Sequence, residues 1–465
     1  MLELDSTKTT TDIRKNILKL AWPALLMMFL QSVIGMIDVM MIGSIGPTAL
    51  AAVDMSNRLI MVVVGAISAL SIGATALVAR YVGAKNHKQA NKVMVNALIS
   101  GIVLSLILAL IGFLTSQSLL EMMMVLMEEV DGAVLDQGSI YLRIIFSSMV
   151  FALPMMLITA ILQGIGDMKT PLYIMIISNI CNVVINYLLI FGVGVFPALG
   201  VAGAAIGTIL SRVVGTIAGF IVLIRGNSIL KLELNKSSLK VDFKMIKEIF
   251  TIGIPAAIEQ LVRQSSQIIY TILIAALGTL TLAANAIVMN IELVPIMIGF
   301  GFATAATTLV GQSLGAGKKD LAKEYAKQTA YLSTGLLIVI SIPMFIFAHP
   351  IIKLFTTDLE VINLVLPILR FMIVIQALFG LIIVLAGALR GGGDTKWPMY
   401  STIVGDWGVR LTLGLLFGYS LGYGLLGFWM AMGVNLFVMA GLNLWRYKSE
   451  KWLNIKVTEE EKLAA

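Results

Sequence analysis

The chain has 465 residues, 58% of them hydrophobic and only 13% charged, about half the charged fraction of an ordinary soluble domain. That composition argues against a soluble enzyme or binding module, and the long continuous apolar runs argue against a β-barrel, leaving a polytopic α-helical membrane protein. The basic excess of +7 sits in short loops, as membrane topology demands, and does not suggest nucleic acid; one cysteine, Cys181, permits no internal disulfide and no cysteine metal cluster.

Twelve apolar segments are predicted in chain order: 16–42, 50–79, 92–114, 138–164, 170–193, 199–224, 248–277, 282–311, 325–348, 362–390, 396–417 and 424–446. Residues 1–15 are polar, and the first helix is too long for a signal-peptide core, so no cleavable leader is expected. That first span carries Asp38 near its far end, with no Lys, Arg or His within four residues. A carboxylate inside a span costs at least ~2.5 kcal/mol on insertion scales, so Asp38 is expected to have a job or a partner on another helix. Asn179, Asn182 and Asn186 in the fifth span share one helix face and could supply that partner. They could equally serve helix–helix packing.

Basic residues mark alternate loops. Arg80, Lys85, Lys88 and Lys92 follow the second span, and Lys318, Lys319, Lys323 and Lys327 the eighth. The middle connection holds Arg225, Lys231, Lys236, Lys240, Lys244 and Lys247. The loop after the third span holds Glu121, Glu128, Glu129, Asp131 and Asp136 and no base. The positive-inside rule therefore expects both termini and the middle connection in the cytoplasm, with the chain in the plasma (inner) membrane. The expected organisation is a cytoplasmic segment 1–15, an N-lobe 16–224, a linker 225–247, a C-lobe 248–446 and a cytoplasmic tail 447–465.

The halves repeat. A shift of 232 places carries Pro23 onto Pro255, Gly46 onto Gly278, Thr75 onto Thr307 and Gly83-Ala84 onto Gly315-Ala316. Further on a shift of 227 carries LQGIGDMKTPLY (Leu162 to Tyr173) onto LRGGGDTKWPMY (Leu389 to Tyr400). Six spans per half is an even number, so the repeat should be parallel, giving two pseudo-symmetric six-helix lobes around a central cavity.

These residues resemble the multidrug and toxic compound extrusion (MATE) transporters. The resemblance rests on the early prolines of spans 1 and 7 and on Gly83-Ala84 with Ala90 and Gly315-Ala316 with Ala322. It rests also on the paired loops entering spans 5 and 11 and on Gly200-Val201-Ala202-Gly203-Ala204-Ala205 opening span 6. It implies secondary active export of organic, often cationic compounds, driven by inward H⁺ or Na⁺, with no cofactor and no enzymatic activity. Family members of both coupling types have an aspartate at the place of Asp38. In a proton-coupled branch a second Asp stands where Asn186 stands here. Sodium-coupled members place a carboxylate where Arg263 stands, and another in span 10, which here offers Gln376. The resemblance implies H⁺ or Na⁺ coupling at Asp38, Asn179, Asn182 and Asn186, with Na⁺ held by Asp38, Asn179 and Asn182. A flippase, or an exporter of one lipid-linked precursor or metabolite, is the alternative on this architecture.

In the second half Glu259, Arg263, Glu292 and Asp406 are the candidates. Asp54/Arg58, Glu259/Arg263 and Asp406/Arg410 are spaced i,i+4, acid first, which favours ion pairs on one helix face. Guanidinium groups facing the cavity would repel organic cations, so Arg263 and Arg410 are expected to be held by Glu259 and Asp406; free ones would favour anionic substrates. Glu292 has no base within four residues. Met27, Gln31 and Met36 are the candidate substrate contacts on the first span, flexible thioethers suiting varied shapes. Pro154, Pro295 and Pro343 lie within spans and are expected to bend them or to free a carbonyl. His87 is expected in a cytoplasmic loop and His349 at an outer edge, so no catalytic or metal cluster with Asp38 is expected, and neither nucleic acid nor a protein partner is implied.

Overall fold

A computed structural model describes residues 9–126, 132–226, 230–232 and 240–457. Glu128, Glu129, Asp131 and Lys236 of the expected loop charges lie outside the described residues. Eleven of the twelve apolar segments read from the sequence coincide with a helix or a bent helix pair, and 396–417 with a run that alternates between α- and π-helix. In chain order these are α1 (Thr10–Gly43), α2 (Pro47–Gly83), α3 (His87–Leu126), α4 (Gly132–Ser147), α5 (Met149–Ile165), α6 (Lys169–Phe191), α7 (Gly200–Arg225) and α8 (Phe243–Ala275). There follow α9 (Thr279–Gly315), α10 (Lys319–Ile346), α11 (Ala348–Lys353), α12 (Leu359–Ile375), α13 (Ala377–Gly391), α14 (Lys396–Thr402), α15 (Thr412–Leu415) and α16 (Gly424–Lys448). The π-helical stretches Ile403–Leu411 and Leu416–Ser420 flank α15.

Among the described residues, eight single helices are long and apolar enough to cross a membrane, and the pairs α4–α5 and α12–α13 raise this to ten. Of the remaining two segments, α8 carries Glu259 and Arg263 in its middle and the run from α14 to Ser420 is broken into pieces. The protein is therefore an all-helical integral membrane protein, with no strand among the described residues. Several helices overrun the apolar segments. α3 continues to Leu126, which puts Glu121 on a helix rather than in a loop, where it accepts from Gln117 at 3.0 Å.

The chain forms two compact units. One holds Leu26–Val82 and Asn86–Thr251; the other holds residues 9–25, Gly83–Lys85 and residues 252–457. Repeat mates α1 and α8 each pass from one unit into the other, beside Pro23 and Pro255 respectively. In the first unit Ala52, Leu142, Leu153 and Ala205 belong to a fully buried core. In the second the corresponding core includes Tyr270, Val288, Leu369 and Phe428.

The repeat is visible in individual bonds. The Thr75 hydroxyl donates to Ser71 O at 2.9 Å and Ala160 O at 3.0 Å, and Thr307 donates to Ala303 O at 2.9 Å and Gly387 O at 2.8 Å. Both contacts need small neighbours: a Cβ on Gly164 would approach Thr75 O at 2.8 Å, and one on Gly391 would collide with Thr307 O. Small residues thus let helix backbones close to hydrogen-bonding range in the absence of a hydrophobic drive between helices.

The loops entering spans 5 and 11 start alike and diverge. Gly166 (φ +92°) ends α5 in the left-handed region, and Asp167 then accepts from the Lys169 and Thr170 amides, turning the chain into α6. In the second copy Gly393 (φ +84°) makes the turn, and Asp394 instead accepts from Arg446 at 2.6 Å.

The two bent pairs both turn by 49°, at Ser148 and at Gln376. Pro154 follows the first bend, but the second has Leu381 at the matching place. Proline is therefore not the common cause. A buried polar residue is: Ser148 accepts from Arg212, and Gln376 donates to Ser341, each drawing the chain toward a neighbouring helix at the break. Pro295 lies within an unbroken α9, and Pro343 stands one turn before the end of α10.

Candidate functional site

In the first unit, α1 carries Asp38 and α6 carries the asparagine face. Asn186 Nδ2 donates to Asp38 Oδ1 at 2.8 Å and lies 3.3 Å from Asn182 Oδ1. Asn182 and Asn186 are buried and Asp38 half-buried. No Lys or Arg pairs with Asp38 among the described residues. The aspartate is thus stabilised by an amide dipole and not by a counter-charge, an arrangement whose balance shifts when the carboxylate is neutralised. Asn179, half-buried on the same helix, is not joined to Asp38, and its Nδ2 has no partner.

Asn186 Oδ1 also has no hydrogen-bond partner and is pressed against α7, where a Cβ on Gly207 would collide with it. Gly207 therefore sets the side-chain position of Asn186. It was absent from the residues singled out by sequence, although Gly203 and Gly207, four apart, form a small-residue pair of the kind that marks close helix approach. On α1, Met27 is buried and offers little surface, whereas Gln31 and Met36 are exposed, Met36 by 64%.

In the second unit Glu259 on α8 is 3% exposed and serves two cations. Arg263 approaches it at 3.1 Å, as expected, but Arg390 of α13 approaches more closely, at 2.6 Å. Arg263 also donates to the Thr402 hydroxyl at 3.2 Å. The repeat contained a sign of this arrangement. Under its shifts Glu259 replaces Met27, Arg263 replaces Gln31 and Arg390 replaces Gln163, so an acid and two bases entered the second half together.

Asp406 and Arg410 do not form the expected pair. Both are buried in the π-helical stretch, yet no ion pair joins them. Asn435 of α16 donates to Asp406 Oδ1 at 2.9 Å, and Arg410 donates to Gln267 Oε1 at 2.8 Å with its guanidinium 3.8 Å from the Tyr270 ring centroid. Side chains from other helices thus displace the local i,i+4 partner. Tyr270 occupies the repeat position of Asp38. The first half has an anion there, and the second half has an aromatic ring carrying a cation. Arg410 has no acid partner among the described residues.

Glu292 on α9 is 2% exposed, and neither carboxylate oxygen has a hydrogen-bond partner among the described residues. Asp54 and Arg58 pair at 3.0 Å on an exposed face. No cluster of three or more His, Cys, Asp or Glu side chains suited to a metal occurs among the described residues.

A family model described as MatE matches residues 23–188 and again 255–419. Its two starting points, Pro23 and Pro255, reproduce the internal shift. The probable multidrug resistance protein NorM of Thermotoga maritima is 31% identical over 454 residues, covering 97% of this chain and 96% of its own. The uncharacterized transporter YisQ of Bacillus subtilis is 29% identical over 450 residues, 96% of each chain. Among solved structures, a MATE crystal structure in the straight conformation superposes with a TM-score of 0.87 at 20% identity, over 94% of this chain and 96% of that one. The outward-facing conformation of a multidrug resistance MATE transporter of the MOP superfamily also gives 0.87 at 20% identity, over 96% and 98%. These structures share the fold. The doubled family match and the near full-length relative together show that the chain belongs to the MATE family of membrane transporters.

Proposed function

We propose that this transporter is a multidrug exporter that carries organic compounds, often cationic, out of the cell by antiport against inward H⁺ or Na⁺. Both termini are cytoplasmic and the membrane is the plasma membrane; the alternation of basic and acidic loops supports that orientation. The observation that carries the coupling is the bond from Asn186 to Asp38, an intramembrane carboxylate held by an amide and no cation. Binding H⁺ or Na⁺ at Asp38 removes the anion that Asn186 serves. The amide then repacks against α7 and the affinity of the first unit for a bound organic cation falls. Coupling requires that ion and drug differ in their affinity for the two facing states. Each entering elementary charge contributes ~2.3 kcal/mol per 100 mV of membrane potential.

Arg410 is buried, so it meets cargo only in a state that opens the second unit; there, without an acid partner among the described residues, it extends the cargo to compounds that carry an acidic group beside the cation. The relatives' names support multidrug cargo. The test is efflux of a fluorescent organic cation from proteoliposomes under an imposed pH gradient, an imposed Na⁺ gradient or neither. Efflux that ignores both gradients overturns the antiport reading.

A further inference from the structure

The first unit contains a cavity of about 780 Å³ that the transport reading leaves unused. It lies where the first turns of α3 and α8 meet the chain entering α8. Lys88, Lys92, Lys231, Lys240 and Lys244 line it, with His87, against one acid, Asp242. That acid is already engaged: Asp242 Oδ1 caps α8 by accepting from the Lys244 and Met245 amides, at 3.0 and 3.3 Å. Among the described residues no acid pairs with Lys88, Lys92, Lys231 or Lys240. Asn96 on α3 accepts from the Asp242 amide at 2.7 Å, tying the wall formed by α3 to the chain entering α8.

The ammonium groups of Lys88, Lys92, Lys231 and Lys240 around one engaged carboxylate repel each other unless an anion joins them. The rim says which kind of anion. Phe243 is 80% exposed and Val241 41% exposed, both beside the lysines. Apolar side chains next to a ring of cations at the ends of two membrane-spanning helices match a headgroup that continues into an acyl chain, and they do not match a freely soluble anion. We infer that this cavity is a binding site for the headgroup of an acidic phospholipid, the lysines gripping the phosphate and Phe243 and Val241 meeting the glycerol and upper acyl region.

The test uses the full-length purified protein and short-chain, water-soluble phosphatidylglycerol below its micelle concentration. Phosphatidylcholine of the same chain length and inorganic phosphate are the comparisons, and binding is read by calorimetry. Phosphatidylglycerol is expected to bind at least about tenfold more tightly than either. Lys88→Gln/Lys92→Gln/Lys240→Gln should weaken it at least about tenfold, while Lys15→Gln/Lys19→Gln leaves it unchanged. Equal binding of the two lipids, equal loss in both variants, or no loss in the triple variant overturns the site. Inorganic phosphate binding as tightly as phosphatidylglycerol overturns the lipid assignment. Should the triple variant fail to fold, the ranking of the three probes on the unsubstituted protein decides alone.

Discussion

Asn186 reaches Asp38 across the space between two helices at 2.8 Å, and the same amide lies 3.3 Å from Asn182. One amide therefore joins the carboxylate of α1 to the asparagine face of α6. Asp38→Asn keeps the size and a hydrogen bond but removes the titratable oxygen. The variant should insert and fold, bind drug, and lose gradient-driven efflux entirely. Asn186→Leu should lose part of the coupling, because the carboxylate then has no amide to release. Efflux rates in proteoliposomes with and without each gradient check both; an Asp38→Asn protein that still concentrates drug would remove Asp38 from the mechanism.

Gly207 matters because of what stands across from it. A methyl group there would collide with Asn186 Oδ1, so Gly207→Ala must push Asn186 away from Asp38 or push α7 away from α6. Overpacking of this kind costs about 1–3 kcal/mol. The expected outcome is a lowered Tm and slowed efflux, and Asn186→Ala added to Gly207→Ala should recover the Tm though not the coupling. A double-mutant cycle on thermal unfolding in detergent measures this, with a non-additive term expected because the two side chains are in direct contact.

Glu259 has two cations, and they are not equal. Arg390 is closer, at 2.6 Å, and its side chain is 16% exposed, whereas Arg263 at 3.1 Å is 38% exposed. Breaking a buried pair costs about 3–5 kcal/mol because a charge is left behind, and a partly exposed one much less. Arg390→Gln should therefore lower the Tm more than Arg263→Gln. Glu259→Gln should be the most damaging of the three, since it leaves Arg390 without its acid and Arg263 with only Asp406 nearby. Thermal unfolding of the three variants gives the order.

The helices were legible because a bilayer demands long apolar runs, and the repeat because Pro23 and Pro255, Thr75 and Thr307 sit at places where a backbone must bend or bond. The Asp38 partner was half legible: spacing put Asn179, Asn182 and Asn186 on one face, but only packing selects Asn186 over Asn179. Arg390 was hidden by 131 positions of sequence between it and Glu259, though the joint change of Met27, Gln31 and Gln163 across the repeat pointed to it. The bend at Gln376 left no local mark, since its polar anchor, Ser341, comes from α10. The Asp406–Arg410 spacing misled because Asn435 and Gln267 offer better partners from other helices. Local spacing states what is reachable, and tertiary neighbours decide what is bonded.

Arg410 gives the sharpest prediction about cargo. Its guanidinium lies over Tyr270, 3.8 Å from the ring centroid, and is bonded to the neutral Gln267, so its charge is spread over a ring and an amide and is not cancelled by an acid. In a state that opens this buried site, a cargo carboxylate gains from the uncancelled guanidinium, whereas an ester gains nothing from it. Two xanthene dyes that differ only in a free carboxylate against its ethyl ester separate these cases. Arg410→Gln should slow efflux of the carboxylate dye about tenfold relative to the ester, the size of one charge-assisted hydrogen bond. Arg410→Lys should fall between, keeping the charge but losing the planar stack on Tyr270. Equal slowing of both dyes would mean that Arg410 acts through folding alone, and the cargo of this transporter would then be governed by the first unit and its aspartate.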